Sequence, residues 1–184
     1  MHHRYSIRLK NYDYTQTGGY FITICTQYRE CLFGDITNGK MILNECGKIV
    51  RNEWLKTAKI RREIKLDAYV VMPDHFHGIL IINNCCTGTA RRIHNGDGST
   101  RGTARRAPTM EQFGRPVPGS IPTMVRSFKS AVTKRINELR NTPGAKCWQR
   151  NYYEHIIRNE NELNRIRQYI IHNPANWYND INFD

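Results

Sequence analysis

The feature that most constrains this chain is a pair of apolar segments joined by only two residues. Residues 64–72 (IKLDAYVVM) and 75–83 (HFHGILIIN) are rich in β-branched and apolar side chains, so each predicts a β-strand. Pro73 and Asp74 break the chain between them. Strands joined so closely pair as an antiparallel hairpin, because parallel pairing needs a long crossover.

The remaining periodic segments predict the partners of this hairpin. Residues 20–26 predict a strand, and residues 148–158 predict another. Apolar residues at helical spacing predict a helix over 44–58, with Asn44 as a cap, and one that begins at Ser120. A last helix begins near Asn159 and should stop before Pro174. The expected fold class is α+β, with an antiparallel sheet of four to five strands covered by helices on one side.

A basic segment interrupts this order. Residues 84–118 contain six arginines and two acids, and Gly-Thr-Ala-Arg-Arg occurs at both 88–92 and 102–106. We interpret the segment as a flexible insertion in a single domain that spans residues 1–184. A phosphate-gripping arm and a solvated loop explain its composition equally well.

Charge and cysteine usage narrow the class of function. The chain carries 28 Lys and Arg against 16 Asp and Glu, and its pI is about 9.7, which favours a nucleic-acid partner. The cysteines form no C-x-x-C pair, the N-terminus lacks an apolar signal core, and no apolar run is long enough to span a membrane. We therefore expect a cytoplasmic protein with reduced cysteines and no membrane partner.

His75 and His77 are the first candidates for chemistry. They lie two residues apart on a predicted strand, so both imidazoles point to one face, while Phe76 points to the other. Two adjacent imidazoles form half of a divalent-metal site. The alternative is a pair of surface histidines, or of core histidines held by hydrogen bonds.

Three motifs in order resemble a known family. They are Val-Met-Pro-Asp-His-Phe-His at 71–77, Trp-Gln-Arg at 148–150 and Tyr-Ile-Ile-His-Asn-Pro at 169–174. Together they resemble the HUH single-tyrosine transposases of the insertion-sequence family, and most closely the REP-associated branch. The resemblance spans residues 12–177 apart from the insertion. It implies a ferredoxin- or RRM-like sheet and an enzyme that cuts one strand of single-stranded or hairpin DNA.

The resemblance also implies roles for individual residues. A tyrosine attacks the phosphate and becomes linked to its 5′ side, and the histidines hold Mg²⁺ or Mn²⁺. The pattern places the nucleophile at Tyr169, with Tyr152 and Tyr153 as alternatives. It makes Asn173, four residues further along the helix, the third metal ligand.

Two other residues near the motifs have open roles. Asp74 either orients a ligand histidine or caps the turn. His155 either lines the metal site, contacts the DNA backbone or fills the sheet. His172 points about 100° away from Asn173 on an ideal helix, so we do not expect it to bind the metal.

Basic and aromatic residues alternate between positions 120 and 158, as in proteins that hold single strands. The candidates for DNA binding are Arg126, Lys129, Lys134, Trp148, Arg150 and Tyr152. Two other functions stay open: a nucleic-acid-binding module without catalysis, and a metal phosphodiesterase that uses water. A monomer is weakly favoured, with a dimer as the alternative.

Overall fold

The computed structural model describes residues 12–83 and 117–180, so almost all of the predicted insertion at 84–118 lies outside the described residues. A short 3₁₀ turn, Gln27–Arg29, follows the first strand. The strands and helices are β1 Gly18–Cys25, β2 Gly34–Thr37, β3 Lys40–Leu43, α1 Glu45–Ile60, β4 Ile64–Val71, β5 His75–Ile82, α2 Ile121–Arg140, β6 Tyr153–Ile157 and α3 Glu160–Asp180.

The main sheet has the strand order β4-β5-β1-β6, and all of its pairs are antiparallel. This confirms the α+β class and the hairpin around Pro73-Asp74. In the register of β1 with β5, Cys25 lies opposite His75 and Gly18 lies opposite Ile82. One end of the sheet therefore carries the start of β5 and the end of β1.

The short hairpin of β2 and β3 was not predicted. Each strand has only four residues, which is too short for a clear alternating pattern. The available signal was the Asn38-Gly39 pair, both at positive φ, since this dipeptide favours a tight hairpin turn. The hairpin packs near the end of α3, where the Tyr178 hydroxyl donates to the Ile36 carbonyl at 3.2 Å.

The helices lie on both faces of the sheet, so the prediction that they cover one side is wrong. Alternate residues of β1 and β5 pack with α1 and α2, and the intervening residues pack with α3. The reason is visible in β5, whose side chains are buried on both faces except at Ile81. A strand that is apolar on both faces needs cover on both.

Helix α3 continues through Pro174, so the prediction that it stops there is also wrong. Proline costs one backbone hydrogen bond and crowds the preceding turn. The residues on either side, Asn173 and Trp177, are both buried, and this packing outweighs the local preference. At the other end, the Asn159 side chain accepts from the Glu162 N–H at 2.9 Å, as predicted for a cap.

Candidate active site

Both histidines lie at the start of β5 on the face covered by α3. Their ring centroids are 4.5 Å apart, and both residues are buried. His75 Nδ1 lies 2.5 Å from Asp74 Oδ1, and His77 Nδ1 lies 2.8 Å from the Thr23 hydroxyl. Because oxygen partners occupy both Nδ1 atoms, the Nε2 atoms are the ones left to act as ligands or acceptors.

Asp74 is itself held in place. Its second carboxylate oxygen lies 3.0 Å from Nε of Arg29. Arg29 and its neighbour Tyr28 both have positive φ, at 57° and 58°, which is uncommon for residues other than glycine. Arg29, Asp74 and His75 thus form a continuous chain of contacts. Neither Arg29 nor Thr23 was identified from the sequence, because both partners are far from the histidines along the chain.

Helix α3 lays three side chains at four-residue spacing over the histidine pair. The Tyr169 hydroxyl is 3.3 Å from His77 Nε2, and the Trp177 ring stacks on His75 with centroids 5.9 Å apart. Asn173 lies midway on the same helix face, so it faces the pair between these two contacts. Its side chain is 3% exposed, and among the described residues its Oδ1 has no hydrogen-bond partner.

Burial sets the protonation of the pair. Burial, with smaller contributions from His75 and Arg29, holds the pKa of His77 well below its ordinary value of 6.5. His77 is therefore neutral near pH 7. A neutral imidazole has one nitrogen lone pair free, as both metal binding and proton acceptance require.

The donor set fits a divalent cation. It comprises two imidazole nitrogens and one amide oxygen, and this buried Asn173 oxygen has no hydrogen-bond partner within residues 12–83 and 117–180. In the parts of the chain that the structure describes, no group of three His, Cys, Asp or Glu side chains is placed to hold a metal. The fit therefore depends on Asn173. Imidazole with oxygen ligands suits Mn²⁺ at least as well as Mg²⁺, which prefers oxygen alone.

The two alternative tyrosines, Tyr153 at the start of β6 and Tyr152 just before it, pack on opposite faces of the sheet. Tyr153 is half exposed and contacts Phe21 on the histidine face. Tyr152 packs instead against the core under α1 and α2, on the face opposite the histidines. Tyr169 contacts His77, so its role as the nucleophile stays the prediction that the resemblance implies.

His155 fastens the last helix to the sheet. Its Nε2 lies 2.7 Å from Oε1 of Glu162, in the first turn of α3. It lies in register with Phe21, two residues along the strand from the position opposite Thr23. This contact gives His155 a structural role where β6 meets α3.

The predicted DNA-binding residues separate into surface and interior groups. Arg126, Lys134 and Arg150 are exposed. Trp148 is buried against Phe33 and Phe128, which corrects the expectation that it stacks on bases, because stacking needs an open ring face. Tyr152 is only partly exposed for the same reason of core packing.

Lys129 is only partly exposed. Its ammonium donates to the carbonyls of Gln149, Arg150 and Asn151 at 2.6, 3.1 and 3.4 Å. Burial lowers the pKa of Lys129 to about 8, so the group still carries its proton at pH 7. Its geometry therefore supports the loop before β6 more directly than it offers a charge to DNA.

The fold is similar to that of a REP-associated tyrosine transposase. A solved structure of such an enzyme, bound to a REP hairpin, superposes with a TM-score of 0.57 over 92% of this chain and 73% of its own, at 20% identity. No family model matches the sequence. In the described residues, no helix is long and apolar enough to cross a membrane.

A curated relative places the chain in a family. An uncharacterised protein of Haemophilus influenzae is 39% identical over 180 residues, which cover 98% of this chain and 93% of the relative. The chain belongs to the same protein family as this relative.

Proposed function

We propose that this protein is a metal-dependent transposase that cleaves and rejoins single-stranded DNA through a covalent link to Tyr169. The observation that carries the proposal is the position of the Tyr169 hydroxyl, 3.3 Å from His77 Nε2. One turn further along α3, Asn173 is buried on the same helix face as Tyr169, and its Oδ1 has no hydrogen-bond partner among the described residues. The proposed nucleophile and the proposed ligands would thus all come from one helix and one strand.

In the proposed reaction, the Tyr169 oxygen attacks the scissile phosphorus and forms a new P–O bond. The bond from phosphorus to the 3′ oxygen breaks, and that oxygen leaves as a hydroxyl after taking a proton. The DNA 5′ phosphate remains on the tyrosine, so attack by a 3′ hydroxyl can reverse the step without ATP. A divalent cation bound by His75, His77 and Asn173 would neutralise charge on the non-bridging oxygens.

The Tyr169–His77 contact has a consequence for this scheme. In the tautomer in which Nδ1–H of His77 donates to the Thr23 hydroxyl, Nε2 carries a single available lone pair. It can accept from the Tyr169 hydroxyl or bind a cation, and it cannot do both. A cation held at Nε2 would therefore replace the contact between His77 and the half-exposed Tyr169 hydroxyl.

Hairpin or single-stranded DNA is the proposed substrate. The formal net charge of +12 favours a polyanion. The enzyme of the same fold was solved with a REP hairpin. We propose a comparable DNA class for this chain and Mg²⁺ or Mn²⁺ as its cofactor.

A covalent-capture assay tests the proposal. An oligonucleotide with a hairpin and single-stranded flanks, labelled at its 3′ end, is incubated with protein and Mn²⁺ and then denatured. The label follows the 5′-phosphate fragment, so the wild type should migrate as a labelled protein band. Tyr169→Phe should abolish the band, whereas Tyr153→Phe, a second half-exposed tyrosine on the same sheet face, should retain it.

The same assay distinguishes the other two functions. Cleavage without a covalent band would show hydrolysis by water, and binding without cleavage would show a module without catalysis. A band that survives Tyr169→Phe and disappears in Tyr152→Phe or Tyr153→Phe would overturn the assignment of the nucleophile.

A further inference from the structure

A second feature at the same end of the sheet is a groove beside α2. It has a volume of about 530 Å³ and lies between the second half of α2 and residues 144–150. Its exposed cations are Lys134, Lys146 and Arg150, and no Asp or Glu is among its lining residues. Lys129, turned onto backbone carbonyls, also lines it.

Backbone pairing joins this groove to the catalytic end of the sheet. The Gln149 N–H donates to the Cys25 carbonyl and the Gln27 N–H to the Cys147 carbonyl, both at 2.9 Å. Cys25 is the register partner of His75. The wall of the groove therefore pairs with the end of β1, the strand that lies beside the histidines.

Tyr28 stands between the two sites. It belongs to the 3₁₀ turn Gln27–Arg29. In this turn Gln27 hydrogen-bonds to the groove wall, and Arg29 forms an ion pair with Asp74. The Tyr28 side chain is 82% exposed, and its backbone adopts a positive φ of 58°. A large aromatic ring held in solvent by an uncommon backbone conformation indicates a functional position, because neither feature stabilises the fold.

We propose that Tyr28 and this groove bind the unpaired DNA strand that flanks the cleavage site. The strand runs from Tyr169 across the Tyr28 ring, on which one base stacks, and its phosphates then lie against Lys146 and Arg150. Stacking on an aromatic ring combined with a cationic groove is a general way to hold single strands of any sequence. The path from Tyr169 rests on the proposed function, and the groove itself can be tested by binding alone.

Binding to a short single-stranded oligonucleotide, measured by fluorescence anisotropy without metal, tests the groove. K146E/R150E should bind at least tenfold more weakly at low salt. The slope of log affinity against log salt should fall by about 1.4, since each lost phosphate contact on a single strand contributes about 0.7. The matched control, K59E/R62E, reverses two exposed cations at the opposite end of the sheet and should bind like the wild type.

Substitution of Tyr28 tests the stacking. Tyr28→Asn should weaken binding on the order of tenfold with an unchanged salt slope, because the ring carries no charge. Asparagine tolerates positive φ, so the turn should survive, and Tyr28→Phe should restore wild-type affinity. Thermal unfolding of each variant checks that the fold is intact.

The outcomes separate this inference from the proposed function. Suppose that K146E/R150E and Tyr28→Asn both bind DNA like the wild type, and that the wild type forms the covalent band. The proposed DNA-binding groove is then wrong, and the proposed enzyme activity stands. Suppose instead that both variants bind DNA more weakly and that the wild type forms no covalent band. The DNA-binding groove is then supported, and the proposed enzyme activity is wrong. Equal losses in K59E/R62E and K146E/R150E would show attraction by net charge and would also overturn the groove.

Discussion

Replacement of Asn173 by leucine tests two properties of this residue separately. They are its effect on the stability of the metal-free protein and its proposed role as a metal ligand. Leucine puts two methyl groups where asparagine has its amide oxygen and nitrogen, so the shape is nearly kept. The Asn173 oxygen is buried without a hydrogen-bond partner among the described residues, and such a group costs about 1–3 kcal/mol. We expect metal-free Asn173→Leu to be more stable than the wild type by about 1 kcal/mol, or roughly 2–4 °C in Tm for a chain of this size.

The same variant should lose its response to metal. A ligand at a hundred times its Kd stabilises a protein by about 2.7 kcal/mol, so saturating Mn²⁺ should raise the wild-type Tm by roughly 5–10 °C. Asn173→Leu should show little of this shift, because one of three ligands is gone. Differential scanning fluorimetry across a Mn²⁺ titration measures both quantities.

The control is Asn176→Leu, which changes an exposed asparagine on the same helix and should behave like the wild type. If metal-free Asn173→Leu were less stable than the wild type, the Asn173 amide would make favourable protein contacts in solution. If the variant kept the full Mn²⁺ shift, Asn173 would not be a ligand. Either result would refute the reasoning about this residue.

Three further predictions follow from other contacts. Arg29→Ala frees the Asp74 carboxylate that holds His75, so Mn²⁺ affinity measured by calorimetry should fall about 10- to 100-fold, and an unchanged affinity would show that Arg29 does not support the site. Gly78→Ala places a Cβ 2.5 Å from Trp54 and 2.8 Å from Phe76, so urea unfolding should show a loss of about 1–3 kcal/mol, and an unaltered midpoint would contradict this packing. The hydrogen-bonded Arg167 guanidinium holds the pKa of Asp67 below its ordinary value. The wild type should therefore be more stable than Asp67→Asn above about pH 4, and the difference in Tm should shrink as the pH falls through the folded-state pKa; a difference independent of pH would argue against the ion pair.

Local pattern was enough for most of the fold. The period-two run around Pro73-Asp74 predicts a hairpin because only antiparallel strands can be joined by so short a connection. The apolar face of α2 from Ile121 to Ile136 is buried as its spacing predicts. Asn44 and Asn159 cap their helices, since a side chain that bonds a backbone N–H three residues later is a local property.

Local sequence pattern could not predict features that depend on packing between residues far apart in the chain. Helix α3 continues past Pro174 because Trp177 packs on His75 and the β2–β3 region, and this burial acts over a hundred residues of chain. Trp148 lies in the core because its neighbours Phe33 and Phe128 come from other elements. Rules that consider only neighbouring residues in the sequence cannot predict either effect, because both depend on packing between distant elements.

The sequence by itself determined that His75 and His77 share one face of a strand and that Tyr169 and Asn173 share one face of a helix, because strand and helix periods are fixed by backbone geometry. Only the tertiary structure decided that these two faces meet, with Tyr169 against His77 and Trp177 against His75. It also brought Thr23 to Nδ1 of His77, and it brought Arg29 to the Asp74 carboxylate that contacts Nδ1 of His75. These partners are set by strand register and by a turn at positive φ, and neither property can be read from the residues around the histidines.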